Sequence, residues 1–458
     1  MTDAWIVGGA LRDELLGRPV TDVDIAVRGD AKAPARALAA ELRGPAFRLS
    51  EAFGAWRVID RDAGRVYDLS TLQGATIEAD LALRDFTVNA MARPLAGLSL
   101  AALSEPSAGA ELIDPVGGLG DLEAGTLRVI GPEAYESDPL RALRLARFVA
   151  ELGFEPDRET ERLTRAAAPR VAEAAGERIF GELRRLLLAP NVIGGLEVAD
   201  RLELLRAVLP EVAALHDVEQ SHYHHLDVYG HTIEVLERLL ELEAGAGPRI
   251  RAVLDEPLAD ELTRGEALRF GALLHDIGKP ATYAVRESGR VTFMGHDRLG
   301  EQMVQDVCRR LRTSERFSRF VEALTRHHLV LGFLVHERPL DRRAVYRYLR
   351  RTEPVEVEVT LLSCADRLAT RGRRADEAIA AHMELAAELM DAALDWRERG
   401  RPAPLVRGDE LARELGIDPG PEIGKLLAEL EQAAYAGEVA TRDEALGFAR
   451  RLRDNRSR

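Results

Sequence analysis

Two neighbouring stretches decide how the N-terminal part of the chain folds: GGALRD at residues 8–13 and DVDI at residues 22–25. Residues 5–7 before them are typical of a buried strand, and residues 10–16 have the apolar spacing of a short helix. Glycines between a strand and a helix let backbone N–H groups approach an anion closely. Gly8 and Gly9 are therefore candidates for contact with a phosphate group, although two adjacent glycines alone are more often only a turn.

Paired carboxylates follow this turn. Asp22 and Asp24 are two residues apart in a predicted strand, where alternate side chains share a face. Two carboxylates held together repel each other unless a cation lies between them, and Mg²⁺ prefers oxygen ligands and often pairs with phosphates. Two such ions can hold the attacking and leaving oxygens of a phosphoryl transfer. Asp68, at the end of another predicted strand, is a candidate third carboxylate, with an ordinary turn aspartate as the alternative.

After this turn, the predicted secondary structure changes once, from strands and turns to helices. Residues 56–60 and 65–69 flank an Asp-Ala-Gly turn at residues 62–64, which predicts a β-hairpin. From about residue 121 the pattern is helical almost throughout, with loops predicted at residues 244–248 and 399–404. The sequence therefore predicts a small α/β head followed by a long helical body in several pieces.

Length and composition narrow the class of protein. The 458 residues suggest two to four domains at about 100–200 residues each, and 46% hydrophobic residues exclude a disordered chain. Two cysteines, Cys308 and Cys364, cannot form a disulfide framework and indicate a reducing compartment. Without an apolar run of membrane-spanning length or a signal peptide, we predict a cytoplasmic protein with no membrane partner. The net charge of −15 argues against a non-specific nucleic-acid coat protein, but not against a nucleic-acid enzyme.

A second group of chemically active residues lies in the helical body. HDIGK at residues 275–279 follows an apolar run, and adjacent His and Asp side chains can reach one metal. Imidazole and carboxylate ligands suit Mn, Ni, Co, Fe or Zn better than Mg. Lys279 is one of only three lysines in the chain, which suits a phosphate contact. The remaining members of the set are His231, His296, the pair His327 and His328, and Asp366, whereas His222, His224 and His225 are interpreted as loop residues.

Taken together, the head motifs resemble those of the polymerase-β-like nucleotidyltransferases. More narrowly, they are similar to the class II tRNA nucleotidyltransferases and bacterial poly(A) polymerases. RDFTVNAMA at residues 84–92 resembles the second motif of that family, and residues 114–122 resemble its third, a hinge between head and neck. The resemblance implies that Arg84 holds the triphosphate while Asp85 and Asn89 position the sugar, although Asp85 could instead cap a buried helix. The other residues of the implied nucleotide site are Gly8, Gly9 and Arg12.

A predicted helix beginning near Pro139 resembles the fourth family motif, in which Asp138 and Arg141 would read the incoming base. C and A share an exocyclic amino group beside a ring-nitrogen acceptor, so a carboxylate and a guanidinium can bind both. U and G present a carbonyl instead, which would repel the carboxylate. Arg144 and Arg147 recur at three-residue spacing near the same face. The alternative is that Asp138 caps the helix and the arginines form a solvated stripe.

The histidine set resembles the HD-domain phosphohydrolases, including their branch with two metals. That resemblance implies hydrolysis of phosphate monoesters or 2′,3′-cyclic phosphates, with Lys279 contacting the phosphate. Residues 408–427 resemble the C-terminal tail of the tRNA nucleotidyltransferases. The implied metal ligands of the HD site are His231, His275, Asp276, His296, His327 and Asp366.

The sequence thus predicts an α+β protein with a polymerase-β-like head, an all-α neck, an HD domain and a helical tail. The implied activity is template-independent addition of C and A to the 3′ end of tRNA from CTP and ATP, with Mg²⁺ in the head. Alternatives are an A-adding or CC-adding enzyme, a poly(A) polymerase, or a non-catalytic RNA-binding adaptor. DNA is not an expected partner, and the oligomeric state is open. The predicted boundaries are 1–120 for the head, 121–215 for the neck, 216–375 for the HD domain and 376–458 for the tail.

Overall fold

The computed structural model describes residues 3–51, 54–95, 112–220, 226–371, 375–418 and 420–456. The chain forms two compact units, Met1–Val208 and Leu209–Arg458. The helices of the described residues are all too short or too polar to cross a membrane.

The first unit begins with one six-stranded mixed sheet, in which the strand order is β3-β4-β5-β2-β1-β6. Three helices accompany it. The strands are β1 (Ala4–Val7), β2 (Asp22–Val27), β3 (Ala46–Ser50), β4 (Ala55–Asp60), β5 (Arg65–Thr71) and β6 (Ala92–Leu95), and the helices are α1 (Gly9–Leu15), α2 (Lys32–Glu41) and α3 (Ile77–Leu81).

The two strands β1 and β2 bury most of their apolar residues and leave the carboxylates at the start of β2 exposed. β1 is buried along its whole length, and β2 is buried from Ile25 onward, whereas Asp22 and Asp24 at its start are exposed. β2 pairs in parallel with β5, while β4 and β5 form the predicted antiparallel hairpin. The buried apolar residues of these strands therefore stabilise the sheet, while Asp22 and Asp24 remain accessible to solvent at the start of β2.

Helices complete the first unit. The longest two are α6, which begins two residues after Asp138, and α8, which packs against it. The helices are α4 (Gly118–Glu123), α5 (Pro132–Ser137), α6 (Leu140–Leu152), α7 (Arg158–Ala167), α8 (Gly176–Leu188), α9 (Val192–Arg201) and α10 (Leu204–Val208), with 3₁₀ turns at Thr87–Asn89 and Ala168–Glu173 and short strands β7 (Thr126–Leu127) and β8 (Glu155–Pro156).

The second unit is helical apart from two small hairpins, β9 (Pro257–Ala259) with β10 (Leu262–Thr263) and β11 (Ala284–Val285) with β12 (Val291–Thr292). Both hairpins interrupt the region that the sequence pattern predicts as helical. Its helices are α11 (Pro210–Ala213), α12 (Val228–Ala244), α13 (Pro248–Leu254), α14 (Arg264–Leu274), α15 (Lys279–Thr282), α16 (His296–Leu311), α17 (Glu315–His327), α18 (Val330–Leu334), α19 (Arg342–Thr352), α20 (Glu356–Leu368), α21 (Ala375–Arg399), α22 (Gly408–Leu415), α23 (Pro421–Ala436) and α24 (Arg442–Arg456), with a 3₁₀ turn at Val335–Glu337.

The predicted α+β class is confirmed. The loops predicted at residues 244–248 and 399–404 lie between α12 and α13 and between α21 and α22. The four domain boundaries stay predictions, although the two compact units meet at residues 208 and 209, near the predicted boundary at residue 215.

Close packing of α9 on α6 supplies a test of this fold. A Cβ atom at Gly195 would lie 2.6 Å from Ala150 Cβ and 2.9 Å from the Ala146 carbonyl oxygen, whereas one at Gly181 would meet no atom within 4 Å. Gly195→Ala should therefore lower the free energy of unfolding by about 1–3 kcal/mol through overpacking. Gly181→Ala should raise it by up to about 1 kcal/mol, because alanine favours helix. Urea unfolding of both variants measures this, and equal stabilities would contradict the α6–α9 contact.

Candidate active site and metal centre

Three carboxylates lie together on the head sheet. β2 and β5 run parallel, and their register places Asp24 directly opposite Asp68, with Asp22 two residues earlier on the same face. Arg57 binds Asp68 through two hydrogen bonds, from Nε to Oδ1 at 2.8 Å and from Nη2 to Oδ2 at 2.7 Å. The structure therefore brings Asp68 beside the other two carboxylates, but Asp68 already has an ion-pair partner.

The surroundings of Asp24 favour its protonated form. Desolvation by the protein raises the pKa of Asp24 to about 6, Arg84 opposes this shift, and the charges of Asp68 and Asp22 add to it. Asp24 nevertheless remains exposed, so desolvation is incomplete and a cation can reach the carboxylate from solvent. Among the described residues, three ligand atoms within 4.8 Å of one another occur only in the second unit. The head carboxylates thus suit an ion that takes further ligands from phosphates, as Mg²⁺ does.

The glycine turn lies directly against this carboxylate face. Gly8 has φ of 73°, in the left-handed region, and a Cβ atom there would lie 2.8 Å from Arg84 Nη1 and 3.2 Å from Asp24 Oδ2. Only glycine combines this backbone conformation with so close an approach. Arg12 lies one turn into α1, and its Nη1 donates to Asn89 Oδ1 at 2.8 Å. The structure therefore joins the first and second sequence motifs around one small space.

Asp85 is the centre of a buried polar network. It accepts hydrogen bonds from Asn89 Nδ2 at 3.0 Å and from the Phe86 backbone N–H at 2.8 Å, and it pairs with Arg144 Nη1 at 2.8 Å. Burial opposes ionisation, but Arg144 and these hydrogen bonds outweigh it and lower the pKa of Asp85 to about 2. Asp85 therefore orients Asn89, and through Arg144 it ties the second motif to α6.

The predicted base-reading residues have other partners in the structure. Asp138 Oδ2 accepts from Arg178 Nη2 at 2.6 Å, and its Oδ1 accepts weakly from the Leu140 backbone N–H at 3.3 Å. Arg141 Nη1 donates to the carbonyl oxygens of Ala134 and Arg84 at 3.3 and 3.4 Å. Asp138 and Arg141 do not pair with each other through their side chains in these hydrogen bonds. Each retains polar atoms that an incoming base can use.

Arg144 and Arg147 are not a solvated stripe. Arg144 Nε lies 3.3 Å from Glu182 Oε1, and Arg147 Nε lies 2.9 Å from Glu182 Oε2. Arg147 is buried, with its guanidinium over the ring of Phe148 at 4.4 Å from the centroid. Of the three predicted nucleotide-site arginines on α6, Arg144 and Arg147 thus already form ion pairs, and Arg141 is the one whose hydrogen bonds go only to neutral groups.

The second site gathers residues from five helices of the second unit. Asp276 lies at its centre. Its Oδ2 is 3.1 Å from His275 Nε2 and 3.9 Å from His231 Nε2, and its Oδ1 is 3.3 Å from His296 Nε2 and 3.7 Å from His328 Nε2. Two groups of side chains could each hold a metal ion, His231 with His275 and His296 with His328, and Asp276 belongs to both groups.

Backbone carbonyls orient the imidazoles of this site. The Nδ1 atoms of His275, His296 and His328 lie 2.8, 2.7 and 2.7 Å from the carbonyl oxygens three residues earlier in the chain. A carbonyl can only accept, so each Nδ1 carries a proton, and in a neutral ring Nε2 keeps its lone pair. Such hydrogen bonds fix metal-ligating histidines in many metalloproteins. Burial opposes the charge of His275, but Asp276 outweighs it and raises the pKa of His275, so a metal ion would displace a proton from His275 Nε2. The Nε2 atoms of His296 and His328 lie 3.3 Å apart, an approach of two lone pairs that a cation would stabilise.

The donor set fits a divalent metal. His275 Nε2 and both carboxylate oxygens of Asp276 are buried without a well-oriented hydrogen bond, even though Lys279 Nζ lies 2.6 Å from Asp276 Oδ2. Burial opposes the charge of Asp276, but His275 and Lys279 outweigh it and hold its pKa well below the usual range. Burial also lowers the pKa of His328 to about 3, which keeps the ring neutral. Neutral imidazoles and an ionised carboxylate are the forms that bind metals.

Two further predicted residues contact this cluster. Asp366 Oδ1 lies 3.0 Å from His231 Nε2, and although burial disfavours its charge, the bond to His231 lowers the pKa of Asp366. Lys279 Nζ also donates to Gln220 Oε1 at 2.8 Å. Asp366 and Lys279 therefore both lie against the cluster of candidate metal ligands. The candidates His222, His224 and His225 lie outside the described residues.

One predicted ligand is corrected: His328, and not His327, joins the metal cluster. His328 follows the buried residues Leu324 and Thr325 of α17 at the four- and three-residue spacings of one helix face, whereas His327 keeps only one of these spacings. The apolar period of the helix was therefore a usable signal. Partners such as Arg178, Glu182 and Gln220 lie far away in sequence, so no local pattern could have assigned them, whereas Arg57 faces Asp68 directly across the predicted β4–β5 hairpin.

Comparisons with known proteins agree with both sites. Residues 4–128 match the Poly A polymerase head domain, residues 153–215 match the "Probable RNA and SrmB- binding site of polymerase A", and residues 228–371 match the HD domain. The A-adding tRNA nucleotidyltransferase of Deinococcus radiodurans is 37% identical, covering 98% of this chain and 95% of that protein. The CC-adding tRNA nucleotidyltransferase of Thermus thermophilus is 34% identical, covering 97% and 93%.

Solved structures share the fold. The Thermotoga maritima CCA-adding enzyme complexed with tRNA superposes with a TM-score of 0.61 at 22% identity, covering 98% of this chain and 90% of that one. A CCA-adding enzyme in complex with CTP gives 0.64 at 22% identity, covering 97% and 90%.

The head with its carboxylates and the body with its HD cluster define a nucleotidyltransferase that carries an HD domain. The chain belongs to the tRNA nucleotidyltransferase family. The predicted family and enzyme class are confirmed, and the role of each site residue stays a prediction.

The neighbours His327 and His328 form a matched pair for testing the metal site. His328→Ala should lower the number of Mn²⁺ ions that the purified protein retains, because it removes one Nε2 ligand from the His296 group. His327→Ala should retain the wild-type number, because its ring lies outside the cluster. Elemental analysis after loading and desalting measures the stoichiometry. If His327→Ala instead lowered the number of retained Mn²⁺ ions and His328→Ala did not, His327 would be the metal ligand.

Proposed function

We propose that this protein adds C and A to the 3′ end of tRNA, using CTP and ATP and releasing pyrophosphate. In each cycle the 3′ hydroxyl oxygen forms a bond to the α-phosphorus, the bond to the β-phosphate bridging oxygen breaks, and the hydroxyl proton is released. The observation that carries this proposal is the meeting of Asp22, Asp24 and Asp68 beside the Gly8 turn and Arg84. Mg²⁺ held by Asp22 and Asp24 would stabilise the charge that develops on the transferring phosphate.

The chain's own residues would place the nucleotide. Arg84 lies against the Gly8 turn, where the backbone and the guanidinium can bind the triphosphate together. Asn89 is held by Asp85 and Arg12, so its amide has a fixed orientation toward a sugar hydroxyl. A positioned amide of this kind favours the bound geometry before the reaction begins.

Base selection would rest on Asp138 and Arg141. Arg178 holds one oxygen of Asp138, which leaves the other oxygen to accept from the exocyclic amino group of C or A. Arg141 has no carboxylate partner in its hydrogen bonds and can donate to the adjacent ring nitrogen. RNA rather than DNA is the proposed partner, and the cytoplasm is the proposed location because Cys308 and Cys364 are both free.

A second candidate is addition of A alone, which is favoured by the 37% identity to a relative named an A-adding enzyme. Addition of CC alone has similar support from the Thermus thermophilus relative at 34%. A poly(A) polymerase would share the same head. The non-catalytic adaptor has least support, since the carboxylates and the HD cluster are all in place.

Transcripts ending before CCA, before CA and before A, each offered with CTP or ATP, test the activity. We expect C on the first two, A on the third, and no incorporation of U or G. Asp138→Ala should lower the preference for C and A by roughly ten- to a hundredfold, because a hydrogen bond to a charged group contributes about 1.5–3 kcal/mol.

Asp24→Ala is the control for this assay, since it should abolish addition to every transcript while leaving tRNA binding intact. Addition to the third transcript alone would assign an A-adding enzyme, and addition to the first two alone a CC-adding enzyme. An Asp138→Ala protein with unchanged nucleotide preference would remove the base-reading role and leave Asp138 as a helix-end residue.

For the second unit we propose metal-dependent hydrolysis of phosphate esters. His231, His275, Asp276, His296 and His328 would hold two ions of Mn²⁺, Ni²⁺, Co²⁺, Fe²⁺ or Zn²⁺, because imidazole ligands favour such metals over Mg²⁺. The ions would supply a nucleophilic water near neutral pH. Lys279 is buried beside Asp276 and presents a positive charge to the phosphate, and Asp366, whose Oδ1 lies 3.0 Å from His231 Nε2, would be a further metal ligand.

His275→Ala should separate the two activities. It should abolish hydrolysis of a phosphate ester in the presence of Mn²⁺, since it removes a ligand, and leave nucleotide addition nearly unchanged. Asp24→Ala serves as the matched control with the reverse pattern. If His275→Ala melts earlier and loses both activities, the metal is structural. Wild-type protein that hydrolyses nothing with Mn²⁺, Ni²⁺, Co²⁺ or Mg²⁺ would also contradict the proposal.

A further inference from the structure

The segment Tyr283–Met294, which contains the β11–β12 hairpin, exposes apolar side chains immediately before a proposed metal ligand. Tyr283, Val285 and Met294 expose 40%, 57% and 76% of their surface. His296 follows two residues after Met294 and belongs to the metal cluster. Exposed apolar side chains that lie together mark an interaction surface, so this hairpin segment is a candidate for binding a ligand with a flat, apolar surface.

Ring contacts connect the hairpin segment to the metal cluster. The ring of Tyr283 meets that of Phe293 at 5.9 Å between centroids, and Phe293 meets the imidazole of His296 at 6.4 Å. The Phe293 carbonyl oxygen also orients His296, 2.7 Å from its Nδ1. Lys279 Nζ lies 5.4 Å from the centre of the Phe293 ring. The aromatic surface therefore begins at the groups that would bind the phosphate and continues outward to solvent.

The size and charge of the hairpin segment indicate what covers it. A stable protein interface uses roughly 20–30 residues on each side, far more than these three exposed apolar side chains. Arg286 and Arg290 at its turn are exposed, and within the described ranges neither forms an ion pair. A flat aromatic group attached to a phosphate, next to further negative charge, satisfies all of these features.

We propose that Tyr283, Phe293 and Met294 form a base-stacking platform for the nucleoside attached to the phosphate that the HD site hydrolyses. The ligand class is a nucleotide with a terminal or 2′,3′-cyclic phosphate, either free or at the end of an RNA. This inference rests on the proposed phosphohydrolase function of the HD cluster. Stacking of a base on an aromatic side chain changes affinity by about five- to a hundredfold, and it tolerates any base because each presents a flat π-face.

The test compares adenosine 2′,3′-cyclic phosphate with 1-O-methylribose 2′,3′-cyclic phosphate, which lacks a base, in the Mn²⁺-loaded full chain. Wild-type protein should show a KM for the nucleotide that is about five- to a hundredfold lower than for the sugar. Tyr283→Ala should raise the KM for the nucleotide toward that of the sugar, and Tyr283→Phe should restore it because the ring is retained. Phe47→Ala removes an aromatic side chain of similar exposure, 43%, from the first unit and should change neither KM.

Each outcome of this test has one meaning. Equal KM values for the two substrates in wild-type protein, or an unchanged nucleotide KM in Tyr283→Ala, would overturn the platform while leaving the phosphohydrolase proposal intact. If no substrate is hydrolysed, the phosphohydrolase proposal fails by itself. Calorimetric binding of adenosine 3′-phosphate to the Mn²⁺-loaded protein then decides the platform, which requires weaker binding in Tyr283→Ala than in wild-type protein and in Tyr283→Phe.

A third substrate distinguishes the two sources of the nucleotide. An oligoribonucleotide ending in the same cyclic phosphate should have a lower KM than the mononucleotide if Arg286 and Arg290 bind the preceding backbone. That advantage should disappear in the Arg286→Ala/Arg290→Ala double variant and in high salt. Equal KM values for oligomer and mononucleotide would assign the free nucleotide as the ligand.

Discussion

Repulsion between carboxylates that the fold holds close together is the constraint on which both sites depend. In the head, desolvation raises the pKa of Asp24 to about 6, and the charge of Asp68, which the parallel register of β2 and β5 places opposite, adds to this shift. In the second unit, Asp276 lies within the field of Asp366 and is balanced by Lys279 and imidazoles. The two solutions differ: the head leaves its carboxylates open to solvent, whereas the body buries them. An open pair suits an ion that arrives with a nucleotide, and a buried set suits ions that stay with the protein.

Sequence reasoning reached as far as local physics allows. The glycine turn, β1, β2 and the β4–β5 hairpin follow from short-range pattern, and the structure has each of them. Sequence order alone did not choose between His327 and His328, because that choice depends on which face of α17 is buried. Arg57, the partner of Asp68, faces it across the predicted hairpin, but the partner of Asp138 could not be predicted from local pattern. Arg178 lies 40 residues from Asp138, and only the tertiary fold decides which charged groups meet.

Shared machinery explains why relatives with different products look so alike. Proteins named A-adding, CC-adding and multifunctional CCA enzymes are 37%, 34% and 33% identical to this chain over nearly their whole lengths. Phosphate binding and metal binding are common to every nucleotide addition, so the motifs that serve them carry no information about the product. Differences in product must instead arise where the incoming base and the growing end of the RNA are held. A single hydrogen bond to a charged group, about 1.5–3 kcal/mol, is enough to change a nucleotide preference by a factor of ten or more.

The base-reading region is itself fixed by ion pairs that reach into the sugar-binding motif. Arg144 joins α6 to Asp85, and Glu182 on α8 binds both Arg144 and Arg147. Because a buried charge left without its partner destabilises a protein strongly, these four residues cannot vary independently. Asp138 and Arg141 lie at the edge of this network, where the contacts are more exposed and an alternative partner is less costly. If Asp138 and Arg141 read the base as proposed, the start of α6 is where nucleotide choice can change, while the ion pairs deeper in the helix hold it in place.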